Sequence, residues 1–296
     1  MKKIAILVLA ASAPRNLSLL AKALGDEFSL YVHVDQKMNI QSYKGTIDWP
    51  LLNFIEKRAE VFWAGFGMIE ATINLMEAAS TSGDHSHYCL ISDDTFILTE
   101  PDRLYNYIQQ SPGDWIQTWR VPDDHLFQRR YSQFFYLDSK FSSPRWSLTE
   151  DRAVQSKDLT SIIELENLRS RGKVKLDNLF CGKQWWILTN EAVADLIKFH
   201  HANQDFRLSF KYSAVSDEIY IQTMYRILYP SKQTAKCPIY DDFTRDPKPY
   251  QFTSLEEVVR IPDFDEIRSK VPFIRKLKAP EETALSDVER VFWAKK

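Results

Sequence analysis

Acidic residues stand at three places in the chain where carboxylate chemistry is possible. Ser216-Asp217-Glu218 begins a segment whose apolar spacing predicts a helix, and Asp93-Asp94 and Asp35 each follow a predicted buried strand. A pair of acids at a helix start is favoured by the helix dipole and can simply cap the helix. Alternatively, one carboxylate caps the helix while the other faces a cleft as a general base. The residues alone leave both interpretations open.

The adjacent acids Asp93 and Asp94 differ from an Asp-x-Asp metal motif in their spacing. Neighbouring side chains point in different directions, so bidentate capture of a metal ion is less natural here. We expect these acids to form a turn or to contact a substrate. A metal site at Asp93 and Asp94 remains the alternative.

The elements that must position these acids alternate between strands and helices. The predicted elements of the first half are a strand at Ile4–Leu9, a helix at Leu17–Leu24, strands at Ser29–Val34 and Ala59–Phe62, a helix at Met68–Ala79 and a strand at Tyr88–Ile91. A β-loop-α-β opening of this kind is typical of nucleotide-binding α/β domains. Ligands of such sheets bind at the carboxyl ends of strands, which is where Asp35, Asp93 and Asp94 stand.

The second half of the chain continues this α/β pattern around a polar middle segment, 138–175, which we interpret as an insertion over one face. Its predicted elements are strands at Trp115–Trp119 and Gln184–Leu188, and helices at Leu159–Arg169, from Thr189 to His200 and at Ser216–Leu228. The chain after Pro238 is rich in loop residues and then basic.

The composition excludes several classes of protein. The 38 basic and 40 acidic residues give a formal net charge of −2, without the basic surplus of a nucleic-acid-binding protein. Cys89, Cys181 and Cys237 are odd in number and widely spaced, which predicts neither a disulfide framework nor a zinc site and fits a reducing compartment. The sequence contains no P-loop, no Gly-x-Ser-x-Gly elbow and no His-Glu-x-x-His motif.

Five stretches, taken in order, resemble the core-2/I-branching glycosyltransferase family, which includes the peptide O-xylosyltransferases. They are Ile4–Ala11 (IAILVLAA), Tyr31–Asp35 (YVHVD), Val61–Leu75 (VFWAGFGMIEATINL), Gly182–Val193 (GKQWWILTNEAV) and Val215–Leu228 (VSDEIYIQTMYRIL). The last two are the most specific, because they match the family's Gly-x-x-aromatic-aromatic element and its Pro/Ser-Asp-Glu helix. Together the five stretches cover most of the chain to about residue 230.

The resemblance implies an α/β fold of the GT-A type, a Rossmann-like nucleotide-sugar-binding domain with a central mixed, mostly parallel sheet. It implies a UDP-sugar donor and inversion at the anomeric carbon, with Glu218 as the base that deprotonates the acceptor. We expect one catalytic domain over residues 1–296. Its parts would be a nucleotide-binding half (1–120), an acceptor-side and catalytic half (121–235) and a basic segment that closes over the diphosphate (236–296).

The resemblance also assigns substrate-binding residues. The donor contacts that it implies are Ala11, Val34, Asp35, Trp63, Arg245, Arg275 and Lys276, with Lys276 and a neighbouring arginine neutralising the diphosphate in place of a metal. The acceptor contacts that it implies are Asp94, Arg129, Arg130, Trp185, Trp186 and Asp217. No metal and no other cofactor is expected, since the UDP-sugar is a co-substrate.

One departure from the family concerns the stretch after Tyr88. The family has Ser-Gly-x-Asp-aromatic-Pro there, whereas this chain has Ser92-Asp93-Asp94-Thr95-Phe96-Ile97. The two alternatives to a metal-independent transferase are a metal-dependent transferase using Asp93 and Asp94 and a catalytically silent glycan- or nucleotide-binding protein. We expect a cytoplasmic protein of surface glycan synthesis that acts on an oligosaccharide or lipid-linked acceptor, with peripheral membrane contact through its C-terminal basic segment.

Overall fold

The computed structural model describes residues 2–45, 47, 52–111, 113–138, 158–280 and 282–293. The strands are β1 (Lys3–Ala10), β2 (Phe28–Val34), β3 (Leu52–Phe54), β4 (His85–Ser92), β5 (Phe96–Ile97), β6 (Trp115–Ile116), β7 (Trp119–Arg120), β8 (Phe180–Cys181), β9 (Trp186–Thr189), β10 (Ile239–Asp241) and β11 (Phe273–Arg275). Half of the predicted insertion, residues 139–157, lies outside the described residues.

The helices surround these strands along the chain. They are α1 (Pro14–Ala23), α2 (Gln41–Lys44), α3 (Gly67–Ser82), α4 (Pro101–Gln109), α5 (Leu126–Ser132), α6 (Leu159–Arg171), α7 (Asn190–Ala202), α8 (Gln204–Lys211), α9 (Tyr220–Leu228), α10 (Leu255–Val259), α11 (Phe264–Lys270) and α12 (Leu285–Val288). A 3-10 turn covers Ser216–Glu218 and a π-helical segment covers Glu289–Trp293. No helix of the described part is long and apolar enough to cross a lipid bilayer.

The central sheet has six strands in the order β3-β2-β1-β4-β9-β6. Strands β1 to β4 run parallel, and β9 runs antiparallel to both β4 and β6. Strand β1 lies between β2 and β4, and its apolar run from Ile4 to Ala10 is buried on both faces, as expected for a parallel strand covered by helices. This confirms the predicted α/β fold with a mixed, mostly parallel sheet.

A small second sheet, β10-β11-β5, ties the C-terminal segment to the main sheet. Its register pairs Asp241 of β10 with Arg275 of β11, and β11 pairs in turn with β5, which begins just after Asp94. The backbone N–H of Leu277 also donates to the carbonyl oxygen of Asp94 at 2.8 Å. The chain around Arg275 and Lys276 is therefore fixed at the carboxyl end of β4.

Two predicted strands differ from the structure. Segment Ala59–Phe62 is no strand, and the short β3 occupies the sheet edge instead. Side chains hold the segment, because the N–H groups of Ala59 and Val61 donate to His33 Nε2 (2.8 Å) and to the Asp35 carboxylate (3.3 Å). The predicted strand Trp115–Trp119 is divided into β6 and β7, which belong to different sheets.

The three cysteines lie in the interior of the protein. Cys89, Cys181 and Cys237 are all buried free thiols. Burial in apolar surroundings raises the pKa of all three, so they are inert core residues rather than nucleophiles.

Candidate active site

A cleft of about 440 Å³ opens at the carboxyl ends of β1, β2 and β4. Its walls come from four parts of the chain: the loops after these strands, the loop before α3, the segment before β9 with the 3-10 turn Ser216–Glu218, and the C-terminal small sheet. The cleft lies where open α/β sheets bind their ligands. It brings together residues that are more than 200 positions apart in the sequence, such as Ala11 and Lys276.

Asp93 shapes the floor of this cleft. One of its carboxylate oxygens accepts the backbone N–H groups of Ala11, Ser12 and Ala13 at 3.0, 2.9 and 2.8 Å, and the Tyr43 hydroxyl donates to the same oxygen at 3.3 Å. Burial raises the pKa of Asp93, and the three backbone hydrogen bonds act in the opposite direction by stabilising the carboxylate. Asp93 thus takes the turn-forming role, and the loop after β1 depends on it.

Asp94 points elsewhere, as expected for the second of two adjacent acids. Its carboxylate accepts the Ser92 hydroxyl and lies 3.5 Å from a guanidinium nitrogen of Arg275. The Arg275 guanidinium lies 4.6 Å from the ring centre of Trp185, in a cation–π contact. Arg275 Nε is buried with no hydrogen-bond partner in the described part of the chain. The predicted residues Asp94, Arg275 and Trp185 therefore meet on one wall of the cleft.

Asp35 and His33 occupy the end of β2. The Asp35 carboxylate accepts hydrogen bonds from the Lys37 ammonium at 2.7 and 2.9 Å and from the backbone N–H of Lys37 at 3.0 Å. Burial lowers the pKa of His33 to about 4, so its ring is neutral at physiological pH. That neutral ring is what allows Nε2 to accept the N–H of Ala59.

Glu218 also lines the cleft. Glu218 ends the 3-10 turn rather than starting a regular helix, and α9 begins two residues later. The turn is entered through Val215, whose φ of +56° is rare for a β-branched residue. Its N–H donates to the carbonyl of Ala64 at 3.0 Å, and the buried Ser216 hydroxyl donates to the carbonyl of Phe210 at 2.9 Å. Residues 215–218, the Glu218 loop, are thus fixed by hydrogen bonds to two separate segments, one at Ala64 and one at Phe210.

Glu218 interacts electrostatically with two charged neighbours, Asp217 and Arg130. Burial raises the pKa of Glu218, and the nearby positive charge of Arg130 partly offsets that effect. Burial, with a smaller contribution from the charge of Glu218, raises the pKa of Asp217 to about 7. Asp217 Oδ1 is buried without a hydrogen-bond partner among the described residues. With a pKa of about 7, Asp217 is only partly ionised at neutral pH and is the weaker candidate for the base.

The cleft lining includes Lys183, Asp241 and Phe243, which the sequence analysis did not single out. The Lys183 ammonium pairs with the Asp241 carboxylate and lies 5.6 Å from the ring centre of Phe243. Phe243 is 51% exposed, which is unusual for a phenylalanine. Lys183 lies inside the Gly182–Val193 stretch, directly after the glycine of the Gly-x-x-aromatic-aromatic element, and this position was the one signal that the sequence contained.

Several predicted contact residues lie away from the cleft. Trp186 is fully buried in β9, which is incompatible with its predicted contact to the acceptor; of the pair, only Trp185 lines the cleft. The Val34 side chain is also fully buried. Arg245 is not a lining residue, because its guanidinium donates to Asp242 at 2.7 Å and covers the Tyr250 ring at 3.8 Å.

The remaining predicted residues lie at the edges of the site. Trp63 lines the cleft and is 63% exposed, and Ala11 lines it through the loop that Asp93 holds. Arg129 is exposed, whereas Arg130 is half-buried and faces the acid pair. Within the described residues, no group of three or more His, Cys, Asp and Glu side chains is arranged to hold a metal ion.

The α/β fold, with a cleft at the carboxyl ends of its parallel strands, is the one expected of a nucleotide-sugar transferase. Comparison with known proteins agrees with this class. Residues 4–267 match the model of the Core-2/I-Branching enzyme family. The chain belongs to this family, whose members are glycosyltransferases, and it is a glycosyltransferase that uses a nucleotide-sugar donor and a glycan acceptor. No curated protein matches the chain.

Proposed function

We propose that the protein is an inverting, metal-independent transferase that moves a sugar from a UDP-sugar to a hydroxyl of a saccharide acceptor. The observation that carries this proposal is the placement of charge in the cleft. Glu218 and Lys276 line the same cavity, and neither side chain forms a hydrogen bond or ion pair within the described part of the chain. The reaction needs such a pair: a base for the acceptor and a cation for the leaving group.

The proposed reaction is a single in-line displacement. The acceptor oxygen attacks C1 of the donor sugar from the face opposite UDP while Glu218 takes the proton of the attacking hydroxyl. The bond between C1 and the diphosphate oxygen breaks, and its electron pair leaves with UDP. The cleft supplies orientation by holding both sugars in line. The raised pKa of Glu218 makes its carboxylate a stronger base than an exposed glutamate.

The leaving diphosphate requires preorganised positive charge. Lys276 and Arg275 are adjacent at the end of β11, and Lys183 lies in the same cleft. We propose Lys276 and Arg275 as the diphosphate ligands, with Lys183 replacing Arg245 as the third cation. Ala11 and Asp35, at the ends of β1 and β2, and Trp63, in the loop before α3, would contact the uridine.

The arrangement of the carboxylates supports a metal-independent mechanism. The Asp93 oxygen that faces the loop after β1 is already occupied by three backbone N–H groups, and Asp94 is paired with Ser92 and Arg275. A metal-dependent site would have to break these contacts. The cations that the metal-free alternative needs are present in the cleft.

The donor sugar that we propose is N-acetylglucosamine or xylose, the two sugars used in the family that the sequence resembles. We place the protein in the cytoplasm, in the synthesis of surface glycans, with an oligosaccharide or lipid-linked acceptor. Membrane contact would involve exposed basic side chains such as Lys270. The apolar Phe292 is unavailable, because it is buried against Phe96 and Phe264.

The experiment that tests this function is thermal-shift binding across a panel of UDP-sugars and other nucleotide-sugars, each with and without EDTA. We expect stabilisation by UDP-N-acetylglucosamine or UDP-xylose that persists in EDTA. Stabilisation that disappears with EDTA would assign the diphosphate to a metal at Asp93 and Asp94. Binding without any release of UDP in the presence of acceptors would favour a silent binding protein. The absence of any response to nucleotides would contradict the proposal.

A further inference from the structure

Lys173 is a lysine whose ammonium lies inside the protein rather than in solvent. Its Nζ donates hydrogen bonds to the carbonyl of Tyr131, to the carbonyl of Tyr212 at 2.8 Å and to the Ser213 hydroxyl at 2.9 Å. It forms no ion pair with the described residues. An ammonium group has three donors, so these acceptors satisfy it completely.

The two carbonyl groups that accept hydrogen bonds from Lys173 lie at the C-terminal ends of two helices. Tyr131 lies in the last turn of α5, and Tyr212 is the C-cap residue of α8. The carbonyl groups at a helix C-terminus lack intrahelical partners and carry the negative end of the helix dipole, so a cation is favoured there. Burial lowers the pKa of Lys173. Its three hydrogen bonds to carbonyl and hydroxyl oxygens at two helix C-termini act in the opposite direction by favouring the cation.

Both helices lead directly into the candidate active site. Arg130, which faces Glu218, precedes Tyr131, and the segment after Tyr212 runs through Val215 to the 3-10 turn that ends at Glu218. The two segments are also joined by the N–H of Ala214, which donates to the carbonyl of Arg130 at 3.0 Å. The Lys173 ammonium therefore donates to Tyr131, one residue after Arg130. It also donates to Tyr212 and Ser213, six and five residues before Glu218.

The segment that carries Lys173 is itself fixed to the same two helices. The N–H of Val174 donates to the Ser209 hydroxyl of α8 at 2.9 Å, and the Tyr131 hydroxyl of α5 donates to the carbonyl of Val174 at 2.6 Å. The ammonium is thus a fixed point rather than the end of a mobile side chain. Its aliphatic chain runs beside the rings of Tyr131 and Phe134, with Nζ 5.3 and 5.1 Å from their centres.

We propose that Lys173 is a positioning residue for catalysis, which holds the Arg130 helix and the Glu218 loop in register through their backbones. The inference rests on the proposed role of Glu218 as the base. Without the ammonium, two carbonyls and one hydroxyl each lose one donor, and the bond between the Ala214 N–H and the Arg130 carbonyl loses the support that Lys173 gives it from both sides. A displacement of about 1 Å at a catalytic group can reduce the rate by roughly 100-fold.

The test compares Lys173→Met, which keeps the length of the side chain and removes the charge, with Lys175→Met two residues away, where the lysine is exposed. The first measurement is hydrogen exchange of backbone amides, which requires no substrate. We expect faster exchange in residues 126–132 and 213–219 of Lys173→Met alone. Unchanged exchange there, or equal acceleration throughout the protein, would overturn the inference. Ser213→Ala removes one acceptor only and gives a milder variant should Lys173→Met not fold.

The second measurement is kinetic: UDP release from UDP-N-acetylglucosamine and UDP-xylose, together with the Kd of UDP. We expect kcat of Lys173→Met to fall about 10- to 100-fold with an unchanged Kd for UDP. The double variant Lys173→Met with Arg130→Gln should be no slower than the slower of the two single variants, because both act on the same contact between Arg130 and Glu218. If the losses in kcat of the two single variants multiply in the double variant, or if UDP binding is lost as well, the positioning role of Lys173 is contradicted. If the wild type binds no nucleotide-sugar and releases no UDP in the presence of saccharide acceptors, the proposed function fails, whereas the exchange result still judges Lys173.

Discussion

The backbone N–H of Gly182 donates a hydrogen bond of 3.0 Å to the carbonyl oxygen of Glu218. This bond joins the segment before β9 to the loop that carries the candidate base. Gly182 also lies against Gln117, so closely that a Cβ atom at Gly182 would stand 1.8 Å from the Gln117 carbonyl oxygen. The glycine of the Gly-x-x-aromatic-aromatic element is thus required by packing, with no need for a positive φ.

Gly182→Ala should damage the site through this contact. The new methyl group has to displace the Gln117 backbone, which separates the strand pair β7–β8 and moves the hydrogen bond to Glu218. We expect a loss of about 1–3 kcal/mol in the free energy of unfolding and a strong loss of turnover, measured by urea unfolding and UDP release. Gly113→Ala is the matched control, because a Cβ there meets nothing within 4 Å. Equal effects of the two substitutions would contradict this explanation.

Arg130 should set the pH dependence of the reaction. Its positive charge opposes the rise that burial causes in the pKa of Glu218, so Arg130→Gln raises that pKa further. Since Glu218 acts as a base only when ionised, the acid limb of the pH profile of kcat/KM should move to higher pH. Arg129→Gln, at the exposed neighbouring position, should leave the profile unchanged. A shift to lower pH, or none, would remove Arg130 from this role.

Lys276 should contribute to departure of the diphosphate. Lys276→Met removes a cation that lines the cleft, and we expect kcat to fall about 100- to 1000-fold, as for the loss of one preorganised transition-state contact. Lys278→Met is its control, since this lysine is exposed and does not line the cleft. Added Mg²⁺ or Mn²⁺ that restored the rate of Lys276→Met would show that a metal can replace the side chain. Full activity of Lys276→Met would exclude the lysine from the mechanism.

Asp217 should make the protein less stable as the pH rises. Its pKa increases from 3.8 to about 7 on folding, mainly because it is buried. Between these values the folded state holds a proton that the unfolded state has lost, so the free energy of unfolding decreases with rising pH. Asp217→Asn removes this contribution, and we expect a Tm higher by about 2 to 4 °C at pH 8 and unchanged at pH 4. The exposed Asp177→Asn should show no such difference.

The sequence predicted the fold well, because the fold depends on local patterns. Apolar runs predicted β1, β2 and β4, and polar residues directly after them predicted the ends of the strands where the cleft lies. The predicted strand at Ala59–Phe62 was wrong because side chains of His33 and Asp35 replace the ladder partners of this segment. The apolar content of a segment does not reveal that side chains, rather than a neighbouring strand, accept its backbone hydrogen bonds.

Contacts between distant segments were less predictable. Nothing in the sequence distinguishes Trp185, at the cleft, from Trp186, in the core, because the direction of a strand side chain depends on its register. Arg245 and Lys183 are both basic residues near acids, and only the fold places Lys183 in the cleft and Arg245 beside Tyr250. The contacts of Lys173 likewise join three segments that the sequence separates by about 40 residues each.

Glu218→Gln tests the central claim most directly, because it keeps the size of the side chain and removes only its ability to accept a proton. UDP release in the presence of donor and acceptor should fall by about 1000-fold or more, while the Kd of UDP and the Tm stay close to those of the wild type. Turnover within tenfold of the wild type would contradict the assignment of Glu218 as the base. Loss of UDP binding and of Tm together with activity would make Glu218 a structural residue of its loop instead.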